Sequence, residues 1–292
     1  MAVVTTGFFD GVHLGHRLVV DTLVSSARER GEESVVATFW PHPRTVLQQD
    51  ARDFRILSTL AEKKERLLAM GVDRVEVIPF TRSFAALTAR EYLELLRKRF
   101  NASAFVMGYD NRIGSDHRTA REIGDDAVIV AAEFGDGISS TKIRRKLHEG
   151  AVEDAAAMLG YPYELLGVVV AGNRLGRSIG FPTANMQLYE PLKLIPANGV
   201  YAVRAETLGK RFRGICNIGV RPTVGKGNAR TVETHILDFD EDIYGLDIRI
   251  SFVRKLRDER CFPSLEALRG QLGKDGEACR AISDEEFGFF QD

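Results

Sequence analysis

In the first half of the chain, short apolar runs alternate with stretches of helical spacing. Ala2 to Thr6 reads as a buried strand, and Gly7 to His16 as the turn after it. Leu18, Val19, Leu23, Val24 and Ala27 then keep helical spacing up to a stop at Gly31. Ser34 to Trp40 is a second buried strand, closed by Pro41-His42-Pro43. Thr59-x-x-Glu62 and Thr88-x-x-Glu91 have the form of capping boxes, each ahead of an amphipathic helix. Further strands are expected at Arg74 to Phe80, Ala104 to Gly108 and Ala127 to Phe134. Ser139-Ser140-Thr141 caps a helix running to His148, and Glu149 to Leu159 forms another. Strands alternating with helices predict a parallel sheet with right-handed crossovers, whose ligands sit beyond the carboxyl ends of the strands.

Past Gly160-Tyr161-Pro162 the pattern changes to short strands broken by Gly and Asn turns. Tyr201 to Ala205 and Arg213 to Ile218 pair around Leu208-Gly209-Lys210 as a hairpin. Val232 to Phe239 and Asp247 to Val253 flank Tyr244-Gly245, and a helix holding Leu265, Leu268 and Leu272 follows. Many short strands with turn residues predict a closed antiparallel barrel. The reading is therefore α/β plus β, with domains at 1–160 and 161–292.

Composition adds few constraints. The 292 residues are 44% hydrophobic and 28% charged, as in a soluble globular protein of two domains. A net charge of -1 supplies no global field toward nucleic acid or membrane. Cys216, Cys261 and Cys279 are widely spaced and form neither a CxxC pair nor a zinc pattern, which fits a reduced, cytoplasmic protein. Neither a secretory leader nor an apolar run long enough for a bilayer is expected. Small molecules are the expected partners, for a monomer or weak homo-oligomer.

Two stretches carry candidate chemistry. In the first, the strand at Ala2–Thr6 runs into His13-x-Gly15-His16 at the start of a helix. Gly15 lets the backbone approach a phosphate, and two imidazoles can donate to phosphoryl oxygens as negative charge builds there. Paired histidines on a turn also read as plain surface residues, so this motif needs its context. The second stretch is Gly172 to Asn185, which follows the apolar run Leu165 to Ala171. Gly172, Gly176 and Gly180 permit close backbone approach, and Arg174 and Arg177 bring charge for phosphate. Thr183 and Asn185 offer neutral oxygens that a hard cation such as Mg²⁺ accepts. Composition alone favours a surface loop here, but the ordered spacing of Gly-Arg, Gly-Phe-Pro182 and Thr-x-Asn argues against one.

These motifs carry a resemblance. Gly172 to Asn185 resembles the signature of riboflavin kinases, which are small Greek-key barrels. Gly7-x-Phe9-Asp10-Gly11-x-His13-x-Gly15-His16 is similar to the signature of the nucleotidyltransferase superfamily in its flavin adenylyltransferase form. Ser139-Ser140-Thr141-x-Ile143-Arg144 resembles the second signature of that superfamily, where a helix N-terminus, hydroxyls and an arginine hold the leaving pyrophosphate. Gly108 to Gly114 sits where that family shows G-x-[DN]-F-x-F-G. Asp110 and both glycines match, while Asn111 and Ile113 replace aromatics. The whole resembles the prokaryotic bifunctional riboflavin kinase/FMN adenylyltransferases, the FAD synthetases.

The resemblance implies a Rossmann-like nucleotidyltransferase domain followed by a Greek-key β-barrel with a terminal helix. It implies ATP, riboflavin, FMN and FAD as substrates or products, with Mg²⁺. Gly7, Phe9, Asp10, Gly15, Asp110, Ser139, Ser140, Thr141 and Arg144 are then candidates to bind ATP in the first domain, with His13 and His16 acting on the phosphates. Gly172, Gly176, Arg177, Gly180 and Pro182 are their counterparts in the second, with Thr183 and Asn185 on the metal. Alternation puts Glu233 on one face with Leu237 and Phe239, an uncommon place for a carboxylate. A strand-edge glutamate reaching water is the plain reading of Glu233. The resemblance implies instead the base that activates the riboflavin hydroxyl. His235 is expected to pack or hydrogen-bond within its strand. The changes at Asn111 and Ile113 leave a kinase with a degenerate adenylyltransferase domain as an alternative. A flavin-sensing regulator without turnover is a further one.

Overall fold

The computed structural model describes residues 1–47, 54–109, 111–132, 137–172, 176, 179–223 and 227–289. The chain divides into two compact units, Met1–Ser140 and Thr141–Asp292.

The first unit is built on five parallel strands: β1 (Ala2–Thr6), β2 (Glu33–Trp40), β3 (Arg74–Pro79), β4 (Ala102–Met107) and β5 (Val128–Val130). Their order in the sheet is β3-β2-β1-β4-β5. The order reverses between β1 and β4, and the crevice beyond the carboxyl ends of these two strands is where such sheets receive ligands. All five residues of β1 are buried, because both faces of the sheet are covered. On one face Val4, Val35 and Phe105 pack against Tyr92, Leu93 and Leu96 of α5 (Ala89–Phe100). On the other, Val3, Val36 and Val106 pack against Val20, Leu23 and Val24 of α1 (Leu14–Arg30) and Leu67 of α3 (Leu60–Ala69). Each of these large side chains contributes about 1.5–3 kcal/mol by leaving water.

Both expected capping boxes form, at Thr59/Glu62 and Thr88/Glu91, and a third stands at Thr119/Glu122 ahead of α6 (Ala120–Ile123). Short helices α2 (Pro43–Leu47) and α4 (Arg82–Ala85) lie in the connections. β5 is shorter than the expected Ala127 to Phe134, pairing with β4 over three residues.

The second unit opens with α7 (Ser140–Glu149) and α8 (Val152–Leu159). The Leu147 carbonyl accepts from Ala197 N at 2.8 Å, and Val152, Ala155 and Leu159 are buried. Six antiparallel strands then close a barrel in the order β10-β7-β6-β11-β8-β9. They are β6 (Glu164–Val170), β7 (Ala184–Leu188), β8 (Gly199–Thr207), β9 (Lys210–Thr223), β10 (Gly227–Ile236) and β11 (Asp247–Arg257). The consecutive strands β8, β9 and β10 pair in turn and β11 returns to lie beside β8, and this β11-β8-β9-β10 order makes the barrel a Greek key. Helices α9 (Leu265–Arg280) and α10 (Asp284–Phe287) cover Val200, Ala202 and Ile215 with Cys279, Ile282 and Phe287.

One strand differs from expectation in a way that matters. β10 ends at Ile236 rather than Phe239, and the chain turns at Asp238 with φ 56°. Val232, Thr234 and Ile236 form its buried side, while Glu233 and His235 share the half-buried one. Glu233 therefore does not share a strand face with Leu237 and Phe239, which lie past the end of the ladder. It sits on the polar side of a strand.

Candidate active sites

In the first unit the chain leaves β1 through a turn of unusual backbone. Phe9, Gly11 and Val12 have φ of 51°, 83° and 37°. Positive φ at a β-branched residue is strained, and such strain gathers at functional turns. The turn is held by Asp10, whose Oδ1 accepts from the amides of Leu57 and Ser58 at 2.9 and 3.0 Å. The Ser58 hydroxyl in turn accepts from Gly11 N at 2.9 Å. Asp10 thus shapes the turn, with its oxygens directed at backbone amides. Gly7 donates its amide to the Ala37 carbonyl, and a Cβ there would press on the Phe9 ring at 3.1 Å.

His13 is the N-cap of α1, and its Nδ1 accepts from His16 N at 3.3 Å. An accepting Nδ1 carries no proton, so the neutral His13 ring holds its proton on Nε2 and donates from there. The rings of His13 and His16 stack at 3.6 Å, and Phe9 closes on His16 edge-on at 5.2 Å. Gly15 leaves room for this stack, since a Cβ would lie 3.3 Å from the His13 ring. Burial, then His13, then Lys63 hold the pKa of His16 well below its ordinary value, so the ring is neutral at pH 7. His16 Nδ1 is out of solvent and has no hydrogen-bond partner. A buried unpaired N–H costs more than a buried lone pair, which places the His16 proton on Nε2 as well. The first turn of α1 has no acidic residue, so its positive end is uncompensated.

Within the first unit the Ser140 hydroxyl donates to the Asp10 carbonyl at 2.8 Å. Ser139 is half-buried beside it. Thr141 is exposed and Arg144 half-buried, on the first turn of α7. Asp110 lies outside the described residues. In the altered motif, Ile113 is buried in the same core as Tyr92 and Phe105, and Gly114 (φ 75°) would drive a Cβ to 2.1 Å from Ala89 N.

In the second unit the glycine-rich run ends against β10. Arg177 lies outside the described residues. The Gly176 carbonyl accepts from Phe181 N at 2.8 Å, and a Cβ at Gly176 would stand 2.2 Å from Phe181 O. Gly180 turns the chain with φ 85°. His235 holds the next residue in place: its Nδ1 donates to the Pro182 carbonyl at 2.8 Å, and its ring meets Phe181 edge-on. Gly172 presses on Asn185, where a Cβ would lie 2.3 Å from Nδ2. In the ladder Asn185 stands opposite Glu233, and Glu233 opposite Asn217.

Thr183 lines two cavities at once. One, of about 230 Å³, also takes in Gly172, Pro182, Asn185, Asp240 and Tyr244. The other, of about 240 Å³, takes in Glu233, Asn217, Arg257, Glu259 and Phe262. Among the described residues no group of three or more His, Cys, Asp or Glu side chains gathers to hold a metal. The Thr183 and Asn185 oxygens, in a cavity also lined by Asp240, Glu241 and Asp242, fit Mg²⁺, which takes few protein ligands and completes its shell with water and phosphate.

Sequence reasoning brought the two signature motifs to their strands but missed several neighbours. Asn217 was read as barrel structure, and Arg257 and Glu259 were not singled out. Lys63 and Thr38, beneath the histidine turn, were also missed. Lys63 left a trace, since Lys63, Leu67 and Met70 share one helical stripe on α3.

Comparison with known proteins agrees across both units. The FAD synthetase family profile matches residues 1–134 and the riboflavin kinase profile residues 159–283. A bifunctional riboflavin kinase/FMN adenylyltransferase of Listeria monocytogenes is 36% identical over 96% of this chain and 92% of its own. The Escherichia coli protein of that name is 38% identical over 94% of this chain and 90% of its own. A crystal structure described as a macrolide-efflux protein from Streptococcus pneumoniae superposes with a TM-score of 0.90 at 35% identity, covering 97% of this chain and 94% of that one. No described helix here is long and apolar enough to cross a membrane. With full-length relatives above 30% identity and a matching profile on each unit, the chain belongs to the bifunctional riboflavin kinase/FMN adenylyltransferase family.

Proposed function

We propose that this enzyme makes FAD in two steps, residues 161–292 phosphorylating riboflavin and residues 1–160 adenylylating the FMN. The observation that carries the kinase half is the ladder pair Glu233–Asn185, beside a Thr183 shared by two cavities. Glu233 accepts the proton of the ribityl hydroxyl, whose oxygen attacks the γ-phosphorus of ATP as the bond to the β,γ-bridging oxygen breaks and ADP leaves. Thr183 and Asn185 hold Mg²⁺, which when bound neutralises charge on the phosphate oxygens. Gly172, Gly176, Gly180 and Pro182 bring backbone close to the phosphates, with Arg177 supplying charge. His235 positions this turn through the Pro182 carbonyl.

In the adenylyl transfer, an FMN phosphate oxygen attacks the α-phosphorus of ATP and pyrophosphate leaves. His13 and His16, neutral and protonated on Nε2, donate to the phosphoryl oxygens as charge grows there. Gly15 and the positive end of α1 receive the same phosphates. Gly7, Phe9 and Asp10 build the turn that aims the histidines. Ser139, Ser140, Thr141 and Arg144 hold the pyrophosphate, with Asp110 as a further ATP contact. Three free cysteines and a net charge of -1 support a cytoplasmic enzyme, monomeric or weakly associating, with neither nucleic acid nor membrane as partner.

The test is incubation with riboflavin and ATP-Mg²⁺, resolving FMN from FAD by chromatography. FMN should appear first and FAD after it. His16→Ala should cut FAD formation on the order of 10²-fold and leave FMN formation unchanged. Accumulation of FMN alone in the wild type would mark a kinase without adenylyl transfer, and no product at all a binding protein.

A further inference from the structure

Lys63 is wholly buried, with 0% of its surface exposed. Its Nζ stands 3.6 Å from the centroid of the Phe8 ring and donates to Thr38 Oγ1 at 3.3 Å. Thr38 Oγ1 in turn donates to the Phe8 carbonyl at 3.2 Å. Lys63 from α3 therefore grips Phe8 twice, at the ring directly and at the backbone through a hydroxyl of β2. Phe8 is the residue before the strained segment Phe9–Val12, and that segment delivers His13 and His16.

We propose that Lys63 is a positioning residue for adenylyl transfer, clamping Phe8 to fix the histidine turn and placing a buried positive charge beneath the phosphates that the histidines receive. The proposal rests on the reading of the histidine turn as the adenylyl-transfer site.

Two observations favour this over a purely structural lysine. Burying an ammonium is costly, and a methionine of similar reach would fill the same space without that penalty. The charge is also felt at the histidines, since Lys63 is one of the causes lowering the pKa of His16. The groups facing Lys63 are Asp10 from the turn, Thr38 and Phe8, and His16 from α1. Asp10 directs its oxygens at the amides of Leu57 and Ser58. Burial lowers the pKa of Lys63 to about 8, with Asp10 pulling the other way. The charge is therefore present at pH 7 and lost as the pH rises through about 8.

The experiment uses the full chain with supplied FMN and ATP-Mg²⁺, following FAD from pH 6 to pH 9.5. Riboflavin phosphorylation in the same samples reports the second site. Lys63→Met should lower kcat for FAD about tenfold, less than the 10²–10³ of a direct oxyanion donor, with KM for FMN little changed. The wild-type rate should fall on the alkaline side near pH 8, and Lys63→Met should lack that fall. Lys63→Arg, which keeps the charge, should restore part of the rate and carry it to higher pH. Thr38→Val removes the acceptor that favours the ammonium, so its alkaline fall should move to lower pH. A folded Lys63→Met with wild-type rate and wild-type pH profile would overturn the proposal. If that variant does not fold, an unmoved alkaline fall in Thr38→Val overturns it instead. Wild-type conversion of FMN to FAD, abolished by His16→Ala, separates failure of this proposal from failure of the site reading. Absence of that conversion removes both.

Discussion

Glu233 of β10 and Asn185 of β7 are directly opposed in the barrel ladder. Opposed residues of an antiparallel pair bring their Cβ atoms within about 4.5–5.5 Å. The pairing sets Glu233 opposite the residue proposed for the metal, with Asn185 lining one cavity and Glu233 the other. Two hydrogen-bonded strands fix that spacing, and no loop conformation is needed to maintain it. On the proposed reading, the residue that accepts the nucleophile's proton and the residue that holds the metal stand across one ladder.

Glu233→Gln keeps the shape and hydrogen bonding of this pair but cannot take a proton. Kinase kcat should fall by about 10²–10⁴-fold. Conversion of supplied FMN to FAD should be unchanged, since the histidine turn lies in the other unit. Steady-state kinetics with each flavin substrate check both halves. A near-wild-type kinase rate would return Glu233 to the surface glutamate of the plain reading.

Gly172→Ala probes the other member of the pair. The new Cβ would meet Asn185 Nδ2 at 2.3 Å, so the amide must move. The Mg²⁺ concentration needed for half-maximal kinase activity should rise, with FAD formation from FMN unaffected. An unaltered Mg²⁺ titration would remove Asn185 from the metal site.

The pH dependence of stability follows from His16. Its pKa in the fold is well below the ordinary 6.5, chiefly through burial. As the pH falls below 6.5, the unfolded chain binds a proton that the folded ring refuses. Stability from this group is therefore complete above that pH and lost on acidification. Thermal unfolding between pH 5 and pH 7.5 should show a steeper loss for wild type than for His16→Gln.

From Thr141 on, α7 and α8 fall in the compact unit that holds the barrel. A fragment starting at Thr141 should melt above one starting at Gly160, because the shorter one lacks the buried Val152 and Leu159. Those two side chains contribute on the order of 3–6 kcal/mol together. Differential scanning calorimetry of the two fragments decides, and equal transitions would count against the assignment.

Local signals carried the first unit. β1, α1 and two capping boxes were legible because periodicity and caps are written within a few residues. The barrel's existence was legible too, but not its register. β7 is absent from the strands read in sequence, since Ala184-Asn185-Met186-Gln187-Leu188 has no marked alternation and becomes a strand by pairing with β6. The end of β10 was misplaced because Leu237 and Phe239 continue the alternation beyond the last ladder pair. The placement of Asn217 and Lys63 depends on neighbours distant in the chain, Glu233 for one and Phe8 for the other. Asp110 and Arg177 lie outside the described residues.

Among the described residues β7 meets β10 through two pairs, whereas β9 meets β10 through ten. The barrel thus has a seam, and Glu233 and Asn185 are the stitches. Sequence-distant closure of this kind forms late and opens early, because few contacts repay the loop entropy it costs. Amide exchange should be faster along β7 than along β8 and β9, and bound nucleotide should slow it selectively there. Uniform protection around the ring would contradict this. The pair proposed for the kinase site then doubles as the latch of the fold, so that a barrel not yet closed has no such site to misuse ATP.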